Sequence, residues 1–288
     1  MLVYAAPMPH NRLSFRRLLI AATLASCAVL VFSSSASAGT IGINPPIGSS
    51  IVTDLNHVTA VTTKAKAQKL YNALLKLKLP SAWPFASYSA ISSGGVRLGN
   101  VNIELGAGTS PEAGSQFVTF QPPTLTGLTA ALDERGIKHG ALDPQMVGPK
   151  LLYTLVELPS FAQANKLTAQ FCAYNFTVPI SRVAPANNAG LVSVSRVRIN
   201  AKDPASWSKL FAPAKPSAGY VYRLSGGPVV QLIRSSSNSV ASVDVAVKNV
   251  ATAAKAFRAV GISVKSNLPG APAVALVGSL KLRMLKAR

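Results

Sequence analysis

Apolar and polar positions change period repeatedly along this chain. Residues 55–62 alternate and are rich in β-branched side chains, the period-two pattern of a strand. Ala67, Leu70, Tyr71 and Leu74 then recur at helical spacing with lysines between them, which predicts an amphipathic helix over 64–79, stopped by Pro80 and Pro84. Residues 88–91 and 96–105 read as strands joined by a Ser92-Ser93-Gly94-Gly95 turn. The succession then restarts with a strand at 117–120. A helix over 124–135 follows, with Leu125, Leu128 and Leu132 on one face and Gly136 as its left-handed stop, then strands at 151–158 and 170–176.

Two shorter rounds follow. Residues 194–200 read as a strand, Asp203-Pro204 as a cap with proline in the first turn, and Trp207, Leu210 and Phe211 as the buried stripe of a helix. Strands are predicted at 220–224, 229–234 and 243–247. Val250, Ala253, Ala254 and Phe257 form a last helical stripe closed by Gly261-Ile262, and the final strands fall within 274–284. A β-α-β-β unit leaves one face of its sheet uncovered, so such units should pair. The prediction is an α/β (α+β) protein of paired βαβββ modules forming cup-shaped sheets, as two tandem paired domains. The expected divisions are a signal at 1–38, a poorly ordered arm at 39–53, a paired-module domain at 54–178, a linker at 179–190 and a second, degenerate pair at 191–286.

The first 38 residues change the picture of where the protein resides. Arg12, Arg16 and Arg17 precede an apolar run over 18–32, and small residues end in Ser35-Ala36-Ser37-Ala38. That three-part pattern is a cleaved secretory signal, and the run is too short to stay as a membrane span. A periplasmic or secreted protein is expected, with no membrane span after cleavage; lipid attachment at Cys27 is the minor alternative. The signal takes three arginines and no acid, so a chain of formal net charge +20 remains strongly basic. Polyanions would be attracted, but the lysines and arginines are scattered and no helix-turn-helix, zinc finger or aromatic RNA-binding signature accompanies them. Nucleic acid is therefore not the expected partner. After Cys27 only Cys172 remains, in an apolar strand, so no intramolecular disulfide is expected there. No phosphate-binding glycine loop, Gly-x-Ser-x-Gly elbow, His-Glu-x-x-His or Cys-x-x-Cys motif occurs.

Three stretches together resemble the vicinal-oxygen-chelate superfamily, the glyoxalase, bleomycin-resistance and extradiol-dioxygenase fold. They are Leu55-Asn56-His57-Val58-Thr59-Ala60-Val61, the hairpin from Ser93 through Gly99-Asn100 to Glu104, and Leu132-Asp133-Glu134-Arg135-Gly136-Ile137. The resemblance implies that the cup of two modules holds one divalent metal (zinc, iron, manganese or magnesium) on His and Glu ligands, which grips two neighbouring oxygens of a substrate. It places His57 and Glu104 at ligand and catalytic positions. In the second module the histidine position falls near Gln116 or Phe117 and the glutamate position at Ala173, so that half is empty; Glu157 is the best spare carboxylate, and His139 reads as a loop residue.

Asn100, Asn102 and Glu104 share one strand face by alternation. With Trp83, Phe85, Tyr153 and Tyr174 they are the candidate substrate-binding walls, each equally readable as ordinary packing. A His57–Glu104 pair can also act without metal, the carboxylate orienting the imidazole as a base. The expectation is an exported glyoxalase-like protein acting on a small oxygen-rich molecule. The alternatives are a non-catalytic binding or sequestration protein of the same fold, and a protein whose basic surface does the work. A homodimer is compatible with all three.

Overall fold

The computed structural model of this chain describes residues 49–88, 91–108, 113–147, 149–164, 166–175, 183–265 and 271–287. The expected secretory signal and Cys27 lie outside the described residues, as does most of the expected arm and the start of the expected linker. Parts of these last two are packed: Ile51 and Val52 are buried, as are Ala184 and Ala189, whereas Val183, Pro185, Ala186 and Asn188 are exposed. Ile51 and Val52 are therefore core rather than arm, and Asn188 ties its segment to the helix end by donating its backbone N–H to Leu77 O.

The first sheet is built from β1 (Asp54–Val61), α1 (Lys64–Lys76), β2 (Ser81–Tyr88), β3 (Ile91–Arg97) and β4 (Asn102–Gly108). It continues with β5 (Gln116–Gln121), α2 (Leu128–Glu134), β6 (Asp143–Val147), β7 (Lys150–Glu157) and β8 (Leu167–Tyr174). Its strand order is β2-β3-β4-β1-β5-β8-β7-β6. In each half the first strand lies parallel to the last, and the halves meet through the antiparallel pair β1–β5. The second sheet repeats the plan with β9 (Leu191–Ala201), α3 (Pro204–Phe211), β10 (Val221–Arg223), β11 (Val229–Arg234), β12 (Ser239–Val247), α4 (Val250–Ala259), β13 (Val264–Lys265), β14 (Ala273–Val277) and β15 (Leu280–Lys286). Its order, β10-β11-β9-β12-β15-β14-β13, has one strand fewer because the third module carries two strands after its helix.

Local chemistry starts the helices. The side chains of Thr63, Asp203 and Asn249 accept the orphan N–H groups of the first turns of α1, α3 and α4. Three sequence expectations need correction. Residues 92–95 are not a turn but the middle of β3. Gly94 and Gly95 stand there because a Cβ would strike Tyr71 and Phe85 at the first and the Trp83 ring at the second. The actual turn is at 98–101, where Gly99 takes φ 86°. Pro84 does not merely end a helix region: it lies in β2, which tolerates proline because it is a sheet edge with a bulge between Trp83 and Ala86. Helix α2 is also shorter than the periodicity suggested, beginning only after Gly127 at φ 73°.

The two sheets turn their helix-covered faces into one continuous core. Phe120 of β5 meets Phe211 and Trp207 of α3 at ring separations of 5.7 and 6.4 Å, and Phe161 lies 4.5 Å from Trp207. Polar clamps join the same faces. The Gln116 amide donates to Val240 O and Ser279 O and accepts from Val240 N. That arrangement leaves the opposite face of each sheet outside the shared core.

Candidate functional site

Strand β1 carries a register shift against β5 between Leu55 and His57. The extra residue, Asn56, re-aims the chain as bulges do, so Asn56 and His57 interact directly. Asn56 Oδ1 lies 2.8 Å from His57 Nδ1 and accepts from the Tyr174 hydroxyl at 3.1 Å, while Asn56 Nδ2 donates to Gln121 Oε1. An amide oxygen only accepts, so with this orientation Nδ1 carries the imidazole proton and Nε2 presents its lone pair. Nε2 stands 3.5 Å from Glu104 Oε2 across the parallel β1–β4 pair. Thr59, two residues on and directly beside Glu104, donates its hydroxyl to the same Oε2 at 2.6 Å.

Both partners are buried, His57 at 6% and Glu104 at 9% exposure. Burial pushes the His57 pKa down, with the Glu104 charge pulling the other way, so the fold favours the neutral ring. Around the pair stand hydroxyls that stay protonated. Burial raises Tyr153 to about 12 and Tyr174 well above its ordinary value. Cys172 is likewise pushed up to about 12, so it is a thiol and not a nucleophile.

The structure brings some of the sequence-derived wall residues together and not others. Trp83 meets the His57 ring edge-on at 5.7 Å, and its indole N–H donates to Ser93. Tyr153 and Tyr174 face each other in a T-shaped pair at 6.0 Å, next to Asn56. Asn102 is the β4 partner of His57, half-buried on the Glu104 side of the strand. Phe85 is turned to the other face by the β2 bulge and packs on Tyr71 of α1. Asn100 does not reach the cup: its amide donates to Val194 O and accepts from Val194 N of β9. Glu157 is exposed at the end of β7, and His139 pairs with Asp133 beside α2.

Asn56, Thr59, Ser93, Thr119 and Gln170 belong to this face and were not singled out from sequence. A paired signal was available in β5 and β8, where Thr119 accepts from Gln170 as Thr59 binds Glu104.

No protein-family model matches the sequence, and no curated protein matches it. Solved structures do. 4-Hydroxymandelate synthase from Streptomyces coelicolor, in a mutant form, superposes with a TM-score of 0.54 at 9% identity, covering 81% of this chain and 92% of that one. A hypothetical protein from Staphylococcus aureus gives 0.53 at 9% identity over 81% and 99%. A mutant of homoprotocatechuate 2,3-dioxygenase from Brevibacterium fuscum gives 0.50 at 11% identity over 84% and 73%. The chain has the vicinal-oxygen-chelate fold. At these identities the likeness concerns architecture, and the chemistry has to be read from the residues.

Within that fold the two halves of the first sheet can be aligned by register. Thr59 faces Glu104 between β1 and β4, and Thr119 faces Gln170 between β5 and β8. The second-module counterpart of Glu104 is therefore Gln170, not Ala173, and that of His57 is Phe117, two residues before Thr119. Gln116 points away, clamped to the second sheet. An imidazole nitrogen and a carboxylate oxygen 3.5 Å apart are spaced as two ligands of one cation would be. However, the mirrored positions supply a phenyl ring and an amide. Among the described residues no three His, Cys, Asp or Glu side chains gather, and catalytic metal sites of this kind use three protein ligands. The donor set does not fit a resident catalytic metal.

Proposed function

We propose that this chain is an exported protein that binds a small oxygen-rich molecule in the first cup and moves a proton on it through His57 and Glu104. The observation that carries the reading is the buried approach of His57 Nε2 to Glu104 Oε2, with Nδ1 fixed from behind by Asn56. A neutral imidazole so held has its basic lone pair directed into the cup. An acidic proton of a ligand, on a hydroxyl or on a carbon beside a carbonyl, is accepted by Nε2. The neighbouring carboxylate stabilises the imidazolium that forms. Thr59 fixes the Glu104 oxygen, and Trp83, Tyr153 and Tyr174 supply aromatic walls beside the pair. Export rests on the residue pattern of the first 38 positions, and no described helix is long and apolar enough to cross a membrane.

The test is solvent-deuterium exchange into a panel of α-hydroxyketones and catechols, followed by NMR, with the unsubstituted chain and with His57→Ala and Glu104→Gln. Exchange of at least one panel member that falls by about 100-fold or more in both variants is expected, in line with general-base contributions. Exchange indifferent to both substitutions would refute the proposal. A second reading, a non-catalytic carrier, is favoured by Phe117 and Gln170, which remove half of the polar constellation. Its signature is saturable ligand binding without exchange. Metal analysis belongs in the same series: one equivalent of divalent metal lost in either variant would overturn the metal-free mechanism. N-terminal sequencing of exported material should begin at Gly39.

A further inference from the structure

Among the described residues, the second sheet also turns one face away from the shared core, with a different chemistry. Its helix-side residues Val197, Val243, Val245, Leu282 and Met284 are fully buried. By strand alternation the residues between them lie on the other face. One row across that face runs Val229, Arg196, Asp244, Arg283 and Val274 through β11, β9, β12, β15 and β14. Arg198, one pleat along β9, reaches the same centre. Asp244 is only 2% exposed in its side chain and spends both oxygens on guanidinium groups. Oδ2 accepts from Arg198 Nε at 3.1 Å and Nη2 at 3.0 Å, and Oδ1 accepts from Arg283 Nη1 at 3.0 Å. Arg196 is held from the other side, donating to Gln231 Oε1 at 2.9 Å.

Two guanidinium groups thus hold one carboxylate, and a third, that of Arg196, belongs to the residue paired with Asp244 in the same row, so the row carries three positive charges against one negative. Arg196 is not needed to satisfy Asp244, both of whose oxygens are already taken by Arg198 and Arg283. The side chains of Arg198 and Arg283 are each about one quarter exposed, so part of each remains accessible to a ligand. Asp244 and Gln231 fix the planes of these groups in advance, which lowers the ordering cost of binding an oxyanion. Val229 and Val274 close the row, and Ile233 and Leu276 lie on the same face, half-buried.

We propose that this face is a second binding site, independent of the His57–Glu104 cup, for a small organic oxyanion with an apolar body. Its carboxylate or phosphate group is taken bidentately by the guanidinium edges, and its body lies on the flanking aliphatic side chains.

Calorimetric titration of the full chain with benzoate and with phenyl phosphate tests this and separates the two oxyanion sources. One saturable site is expected for at least one probe. Arg196→Gln and Arg283→Gln should each weaken it about 10-fold or more, as loss of a charge-assisted bond does, whereas His57→Ala leaves it unchanged. In the unsubstituted chain the Nε–H resonances of Arg198 and Arg283 should move on saturation while that of Arg135 stays, so the result stands even if a variant fails to fold. No saturable binding of either probe overturns the proposal. So does binding lost in His57→Ala, binding indifferent to both arginine substitutions, or binding of heparin alone with a steep salt dependence. None of these outcomes bears on proton exchange at the first cup.

Discussion

Asp54→Asn should become increasingly stabilising as pH rises through about 6. Asp54 opens β1 at 3% exposure. Its Oδ1 accepts from Leu55 N at 2.6 Å, whereas Oδ2 is the one buried side-chain polar atom without a partner among the described residues. Gly226 and Gly227 of the β10–β11 loop lie over it, and a Cβ on Gly227 would overlap the carboxylate. Burial raises the carboxyl pKa from 3.8 to about 6, with the Leu55 N–H acting in the opposite direction. A folded-state pKa above the unfolded one means that the native state takes up the proton. The resulting stabilisation is complete below about 3.8 and lost as pH rises through about 6. At 1.36 kcal/mol per unit, the shift corresponds to an upper limit of about 3 kcal/mol for holding the ionised group. Asparagine avoids that charge but leaves an unpaired N–H where Oδ2 was, a cost of about 1 kcal/mol or more. The substitution should therefore be neutral or slightly destabilising at pH 4 and stabilising by ~1–2 kcal/mol at pH 8. Urea unfolding of both proteins at pH 4, 6 and 8 and constant ionic strength measures it. A difference in stability that does not change with pH would refute the assignment of Asp54 as a buried, unpartnered acid.

Further outcomes are expected. The His57 ring should titrate by NMR below 6.5, and lower still in Glu104→Gln, because the negative charge of the carboxylate favours the protonated ring. Its contribution to stability is correspondingly present above about 6.5 and lost as pH falls below that value. Gln116→Ala removes three hydrogen bonds between the sheets and should cost ~2–4 kcal/mol in chemical denaturation. Gly95→Ala places a Cβ 2.5 Å from the Trp83 ring and should cost ~1–3 kcal/mol. It should also shift the His57 resonances, since Trp83 has to leave its edge contact with that ring.

By itself the sequence determined the recurrence of strand and helix and the pairing of modules, but not every strand: β6 was not read at all and β2 only as a strand at 88–91. Period and caps are local properties: Asp203-Pro204 starts α3 and Gly136 and Gly261 end their helices whatever lies around them. The resemblance made His57 and Glu104 legible as a pair, and strand alternation put Asn102 on the same face as Glu104.

What the sequence left undecided depended on contacts between distant segments. Gly94 and Gly95 look like a turn until Tyr71, Phe85 and Trp83 are laid over them. The same β2 bulge separates Trp83 from Phe85, two residues apart in the chain, onto opposite faces. Asn100 has the alternation of a cup residue, but tertiary packing gives it to Val194. Gln170, three residues from the position expected for the second carboxylate, is identified only by its register with Thr119. The contacts of Arg198 and Arg283 with Asp244, and the pairing of Arg196 beside it, bring together residues from three strands far apart in the chain, which no local pattern announces. Alternation assigns a face within one strand, but which strands lie side by side, and where a bulge reverses that assignment, is decided by the packing of the whole chain.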